Sequence, residues 1–593
     1  MSNIETLRHS AAHLMAAAIQ SIYPNAKFGV GPTIEEGFYY DIELDEQLSP
    51  EDLKKIEKEM IALQKQNLEF VKKQMDIDDA IKLFKDAKQD YKVELLEDIK
   101  KHGTTSASEI YGDEDKSSKF KVQSSKITIY KTGTFIDLCR GPHVKATKDI
   151  KTFKLLKLAG AYWRGDEKNP MLTRIYGTAF EDKKSLADYL HMLEEAEKRD
   201  HKKLGPQLDL FIFSDMVGSG MPLWTPRGTI IREVLDDFIW ELRKAKGYEK
   251  VEIPHLAKKD LYEASGHWDK FKDELFHITT REGHHFVIKP MNCPHHTQIY
   301  ARKPHSYKEL PQRYANTTMV YRDEQSGELA GLSRVRCITQ DDSHVFCRKS
   351  QVKDEMFAIW DIVDAFYGAF GFELQPRLSL SDPNNMKAYL GDPKNWKNTE
   401  QELRDIAKER GAKPIEAIGE AAFYGPKLDF MAKDSIGRQW QVATIQLDMQ
   451  MPERFDLACV NEKGENERVV MIHCAIMGSI ERFLSVIIEH FAGAFPAWLS
   501  PVQIALLPVS TEKHLKYSEE LADKFREQNA RVWVDDSDES VGKKIRNSEK
   551  QKIPYILVIG NKEMDGDMLA VRERGSGDTK EMGFEELIKK LQC

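Results

Sequence analysis

Three shortages in the sequence each exclude a class of protein. No uninterrupted apolar run approaches the ~20 residues that a membrane-spanning helix needs. Even the apolar stretch over 471–499 is broken by Glu481, Arg482 and Glu489. The cysteines number seven in 593 residues, an odd count thinly spread, which excludes a disulfide framework and makes a reducing compartment the simpler expectation. The first residues, Met-Ser-Asn-Ile-Glu-Thr, lack the basic-then-apolar order of a secretory signal, so the expected location is the cytoplasm, with no membrane. Net positive charge is absent too: at −9 the chain is not built to coat nucleic acid wholesale. A local basic face would still serve RNA. One spans Arg140 to Arg174, with nine Lys/Arg against three Asp/Glu, including Lys145, Lys148, Lys151, Lys154 and Lys157, interleaved with Phe153, Tyr162 and Trp163. A solvated lysine face would look the same. No internal repeat and no extended low-complexity segment is present.

A hydrophobic content of 41% with 31% charged residues describes a soluble globular chain, and its length calls for roughly three to five domains. Apolar spacing predicts a helix over 6–22, strands and turns over 29–41, a charged helix over 50–73, a mostly polar stretch through 119, and a charged helix over 185–203 that Gly205-Pro206 ends at a domain boundary. A long amphipathic helix is expected over 227–246, followed by Val251-Glu252-Ile253-Pro254. A second boundary falls near Leu499-Ser500-Pro501. Beyond it, short apolar strands over 502–507, 531–534 and 555–559 alternate with helical segments and imply an α/β domain of roughly 90 residues.

The most informative strings are Tyr321-Arg322-Asp323-Glu324 and Gly478-Ser479-Ile480-Glu481-Arg482. Residues 317–322 read as a strand, 325–328 as a turn and 334–338 as a returning strand, a hairpin able to carry Arg322 and Arg334 together. Gly478 precedes an apolar helix whose first turn would hold Arg482 beside free N–H groups. An Arg-x-Glu string alone is ordinary surface ion pairing. Paired, these arginines suit a site that orients a nucleoside triphosphate and stabilises charge on its α-phosphorus, which fixed guanidiniums and Mg²⁺ do with little reorganisation.

These strings resemble motifs 2 and 3 of the class II aminoacyl-tRNA synthetases. With Met291-Asn292-Cys293-Pro294-His295-His296, Thr339-Gln340-Asp341-Asp342-Ser343-His344, Ala422-Phe423-Tyr424-Gly425-Pro426-Lys427 and Met471-Ile472-His473, the chain resembles the threonyl-tRNA synthetase family from about residue 4 to its end. The resemblance implies an α+β multidomain fold: an α/β editing domain over 1–184, a linker helix over 185–204, an antiparallel-sheet catalytic core over 205–499, and an α/β anticodon-binding domain over 500–593. The helix over 227–246 with its following strand and proline resembles motif 1, which implies a homodimer. The implied substrates are ATP with Mg²⁺, L-threonine and tRNA(Thr).

The resemblance also assigns roles. Arg322 and Arg334 would face the α-phosphate side, Glu324 the adenine or the incoming tRNA end, and Arg482 the γ-phosphate. Cys293, His344 and His473 match the three ligands of one zinc ion per subunit, although no metal-spacing rule connects them. Asp342 would hold the substrate ammonium, with Gln340, Tyr424 and Gln441 as pocket residues. His9 and His13 stand four apart on one helical face. With Cys139 and His143 they make a His-x3-His, Cys-x3-His pattern that could close a tetrahedral metal site and resembles an editing domain shared with alanyl-tRNA synthetases, where the groups position water for hydrolysis of Ser-tRNA(Thr). Asp137 and Lys92 match its carboxylate and its basic partner. Lys562 and Glu563, after Asn561, and Arg572 match positions that contact anticodon bases. The chain departs from the pattern in starting at the editing helix rather than with a ubiquitin-like domain, and at Ile338, Ala330 and Cys474, where Phe, His and Arg are frequent. Two rivals, a stand-alone hydrolase of mischarged tRNA and an RNA-regulatory paralogue, would be expected to have lost one of these site residues.

Overall fold

The computed structural model describes residues 3–103 and 126–591; the polar stretch over 104–119 lies outside them. The chain divides into two compact units between Leu193 and Glu194.

In the first unit, helix α1 (Asn3–Ile22) buries almost its whole middle, including Ala11, Ala12, Ala16 and Ala18. Such small side chains let a helix lie close to its support. That support is an antiparallel sheet whose principal strands are β1 (Gly37–Glu43), β3 (Thr152–Tyr162) and β4 (Met171–Phe180), with β4 in the middle. Helix α2 (Asp90–His102) turns Tyr91, Lys92, Leu95 and Leu96 inward, and β2 (Phe135–Leu138) closes a separate three-stranded sheet. The charged helix expected over 50–73 stops at Lys65. Asn67 takes a left-handed turn at φ 55°, and Val71–Asp76 pairs as a mostly exposed strand with Lys126–Thr132. Its composition hid the strand, because Lys73 interrupts the one face that carries Val71 and Met75 and no clean alternation is left.

The second unit is built on an eight-stranded sheet. Its order is Glu249–Lys250, β5 (Gln312–Tyr321), β6 (Cys337–Cys347), β9 (Val470–Ala475), β8 (Gln439–Asp448), β7 (Lys427–Lys433), Leu374–Leu380, Ile415–Ile418. The six inner strands run antiparallel, with a parallel strand at either edge. Helix α4 (Pro226–Ala245), started by Thr225, whose side chain accepts from the Gly228 amide, packs with the helix Val352–Gly368 in the largest core, where Ile231, Leu235, Val363 and Phe366 are buried. The charged helix Lys183–Arg199 does not end at Gly205-Pro206. Asp200 interrupts it, accepts the Lys202 amide, and starts the short helix α3 (His201–Gln207) with both residues inside. Gly205 is needed there because a Cβ would meet the Phe211 ring at 2.1 Å. Helix α5 (Cys293–Tyr300) opens on Cys293 with Pro294 beside it, and helix α6 (Ile480–His490) follows Gly478, whose φ of 77° suits glycine.

Residues beyond 500 form a five-stranded sheet in which Ile504–Pro508 pairs in parallel with Val532–Val534 and Tyr555–Ile559, and Met568–Glu573 and Thr579–Gly583 complete it antiparallel. Helix α7 (Val541–Lys550) lies between its second and third strands in sequence. The six described cysteines are free, and no described helix is long and apolar enough to cross a membrane.

Candidate functional site

Alternation along β6 puts Gln340, Asp342 and His344 on one face. The register sets His344 directly opposite His473 on β9, and His473 opposite Gln446 on β8. Two imidazoles 129 residues apart thus become cross-strand neighbours, and α5 brings Cys293 to them: the three ligand atoms lie within 4.8 Å of one another, all buried. His344 Nε2 is 3.1 Å from His473 Nδ1. The outer nitrogens are also held. His473 Nε2 lies 3.0 Å from Asp448 Oδ2, and since a carboxylate only accepts, this nitrogen carries the proton and Nδ1 presents a lone pair. His344 Nδ1 meets His296 Nδ1 at 2.8 Å. Burial pushes the His344 pKa well down, keeping the imidazole neutral as a ligand must be, and pushes the Cys293 thiol well up. One thiolate and two oriented neutral imidazoles fit zinc and leave a fourth position open.

The cavity beside them measures about 480 Å³ and is lined by Arg322, Gln340, Asp342 and Tyr424 as well as the three metal-type residues. Burial raises Asp342 to about 6, and Asn292 Nδ2 donates to it at 3.1 Å. A carboxyl stripped of water in this way gains most from a cation. The Tyr424 ring stacks on His473, and its hydroxyl donates to Gln446. Gln441 is not among the lining residues; its amide donates to Asp429 at 2.9 Å and accepts from Arg377 at 2.6 Å. Arg334 and Arg482 also lie outside this wall. Arg334 is held by Glu324 and Glu328 in the loop before β6, which begins only at Cys337, and Arg482 sits in the first turn of α6, where its amide donates to Ser479 Oγ.

Several residues of this site escaped sequence reasoning. Asp448 and Gln446 share the face of β8 that meets His473, a signal that two-residue alternation could have supplied. His267 lines the same cavity, desolvated to about 3, with its Nδ1 2.8 Å from Ser265 Oγ; it opens the helix His267–Phe271 after Gly266, five residues too short to carry a periodic signal.

The first unit holds a second cluster. His9, His13, Cys139 and His143 bring their ligand atoms within 4.8 Å of one another, and the first three line a cavity of about 1040 Å³. Cys139 Sγ lies 3.3 Å from both His9 Nε2 and His143 Nε2. Ser10 Oγ donates to Thr6 O, so it accepts from His143 Nδ1 at 3.2 Å, and His143 Nε2 carries a lone pair. Burial lowers His9, holds His13 well below the usual range and takes His143 to about 2, so all three are neutral. Lys92 is buried rather than solvated: Nζ reaches Asp137 Oδ1 at 2.5 Å and donates to Tyr40 Oη at 3.0 Å. Tyr40, absent from the sequence reading, donates to Asp137 Oδ2 at 2.5 Å, and His13 Nε2 lies 3.3 Å from that same oxygen.

Among the C-terminal candidates, Lys562 is exposed and paired with Glu581, and Arg572 pairs with Glu549 at 2.9 Å. Glu563 is buried, and its Oε2 accepts the Gly560 amide at 2.9 Å.

Comparison with known proteins divides along the same lines. Residues 276–491 match the tRNA synthetase class II core domain (G, H, P, S and T), 503–593 the anticodon binding domain, and 127–176 the threonyl and alanyl tRNA synthetase second additional domain. A threonine–tRNA ligase of Cytophaga hutchinsonii is 46% identical over 588 residues, 98% of this chain and 87% of that one. One of Porphyromonas gingivalis is 47% identical over 590 residues, with the same coverage. The crystal structure of the RNA binding domain of threonyl-tRNA synthetase from Cryptosporidium parvum superposes with a TM-score of 0.63 at 35% identity, covering 66% of this chain and 97% of that chain. Giardia lamblia prolyl-tRNA synthetase shares the fold, with a TM-score of 0.54 at 16% identity over 67% of this chain and 76% of that one.

Proposed function

Because the chain belongs to the threonine–tRNA ligases, class II aminoacyl-tRNA synthetases, we propose that it joins L-threonine to ATP as threonyl-adenylate with release of pyrophosphate, then transfers the acyl group to the 3′-terminal ribose of tRNA(Thr). The observation that carries this reading is the convergence of Cys293, His344 and His473 with Asp342 and Arg322 on one cavity. The three metal-type residues would hold one zinc ion per subunit, and zinc held there would supply Lewis-acid recognition of an amino alcohol through its amino and hydroxyl groups. Asp342 accepts an N–H of the substrate amino group, with Gln340, Tyr424 and Gln446 around it. Arg322 orients the α-phosphate toward the attacking carboxylate. Arg334 joins Arg322 on the α-phosphate side, Glu324 takes the adenine or the incoming tRNA end, and Arg482 takes the γ-phosphate of ATP bound with Mg²⁺.

Requiring a hydroxyl rejects valine strongly, but serine, short by one methyl, loses only about 1–3 kcal/mol. The first unit supplies the second sieve: His9, His13, Cys139 and His143 position a water against the ester of Ser-tRNA(Thr), and the Lys92, Asp137 and Tyr40 network moves the proton. The working division is 1–184 for editing, 185–204 for the linker, 205–499 for synthesis and 500–593 for the anticodon, with Lys562, Glu563 and Arg572 as base contacts; Glu563 must leave its Gly560 partner to serve. The enzyme is cytoplasmic. It works as a homodimer through the neighbourhood of α4, where Ile212, Phe213, Met216, Val217 and Leu223 are exposed apolar residues. Threonine-dependent exchange of pyrophosphate into ATP, followed by charging of tRNA(Thr), tests synthesis; absence of exchange with active-site metal present overturns it. His13→Ala should let Ser-tRNA(Thr) accumulate while exchange is unchanged, and undiminished clearance of the serine ester removes the editing assignment.

A further inference from the structure

His201 stands at the start of α3, 4% exposed, and both of its ring nitrogens are engaged. Nδ1 lies 2.6 Å from Glu489 Oε1, in the last turn of α6. Nε2 accepts the backbone amide of Leu332 at 3.0 Å, in the loop between β5 and β6. A backbone amide only donates, so Nε2 is the lone-pair nitrogen and Nδ1–H donates to Glu489. Asp200, His201 and Glu489 have metal-like spacing, but nothing is left over for an ion. Glu489 Oε2 is neutralised by Arg438 Nη1 at 2.7 Å, and Asp200 accepts the Lys202 amide at 2.9 Å. The cluster is a filled hydrogen-bond node.

The node ties together the two segments that carry the nucleotide arginines. One side is the loop bearing Glu324 and Arg334. Gly331 has a φ of 55°, and a Cβ there would come within 2.4 Å of His201 Nε2, so only glycine allows the loop to close on the imidazole. Two residues on, Ser333 Oγ donates to Ser485 Oγ at 2.9 Å. The other side is α6, which holds Ser485 and Glu489 one turn apart and Arg482 at its start. The loop is therefore fixed to the helix at two successive turns, directly through Ser485 and through the His201 ring to Glu489. We infer that His201 is a positioning residue that sets the separation of Arg334 from Arg482, and so the grip on ATP, without touching substrate. The inference rests on the nucleotide roles proposed above for these arginines.

The test is steady-state pyrophosphate exchange by the full-length enzyme, with active sites counted by titration. His201→Ala should raise KM for ATP about tenfold, the scale of a charge-assisted contact moved out of place, and leave KM for threonine within about twofold. His201→Gln, which keeps an acceptor near Nε2 for the Leu332 amide, should recover part of the ATP affinity, whereas His201→Asn, with its polar atoms near Nδ1, should not. Gly331→Ala reaches the same contact from the loop side and should reproduce the ATP effect. A role in folding alone would lower the count of active sites and leave both KM values of the active fraction unchanged, and that result overturns the inference, as does an equal rise in KM for threonine. A wild-type enzyme without threonine-dependent exchange would instead sink the synthetase chemistry itself, so the two failures are told apart.

Discussion

Asp448 shows how much one side chain outside a donor set decides. It accepts the Nε2 proton of His473 and so aims Nδ1 at the metal-type cluster. Asp448→Asn removes that preference for one tautomer, and outer partners of this kind are worth about 10- to 100-fold in metal affinity. Competition with a zinc chelator should report a loss of that size while the fold persists; unaltered affinity would mean that the tautomer is set elsewhere. At this scale the sequence was legible where a residue sits in a distinctive string, as Cys293 and His344 do. It was silent where the role comes from register. Nothing in the order of residues links His344 to His473, and the link exists because β6 and β9 pair in one particular alignment. Gln441 shows the converse, a match by position alone whose side chain is committed to Asp429 and Arg377 rather than to the cavity wall.

Between elements, the buried Asp341 does what its neighbour Asp342 does not. Being one residue along β6, it faces away from the cavity toward α4, where Arg243 Nη2 meets its Oδ2 at 3.1 Å. Its two oxygens also accept the Ile476 and Gly478 amides at 2.9 and 2.8 Å, which fixes the turn that launches α6. Asp341→Asn leaves a donor where an acceptor is needed and a buried Arg243 unpaired, a loss worth about 3–5 kcal/mol. Hydrogen exchange should show the Ile476 and Gly478 amides losing protection first; unchanged protection would show that the turn holds by itself. The long helices and the hairpin with Arg322 could be read from apolar period and turn residues. The strand over 71–76 and the break at Asp200 could not, since the first has its apolar face interrupted by Lys73 and the second depends on a single cap.

For the whole molecule, two physical consequences follow. The proposed homodimer would cover the exposed apolar residues Phe213 and Met216, the latter 96% exposed. Met216→Asp should shift sedimentation from dimer toward monomer, and an unaltered mass would move the interface elsewhere. The first unit should be sensitive to acid. His9, His13 and His143 keep lowered pKa values through burial, His143 at about 2 against an ordinary 6.5. Below 6.5 the unfolded chain binds protons that the folded unit refuses, so stability falls progressively as pH drops from 6.5 toward 2 and is insensitive to these groups above 6.5. The opening free energy of α1 from hydrogen exchange should decline over that range, less steeply in His143→Asn; equal slopes would count against buried neutral imidazoles.

The claim on which the account turns is that recognition of the amino acid passes through the metal-type cluster in front of Arg322. The direct measurement is pyrophosphate exchange with threonine and with valine as zinc is removed and restored. The account predicts that threonine-dependent exchange disappears on removal and returns with about one zinc per chain, and that with zinc restored valine is about 10⁴-fold weaker. Full threonine-dependent exchange without zinc, or valine used as well as threonine, would contradict it.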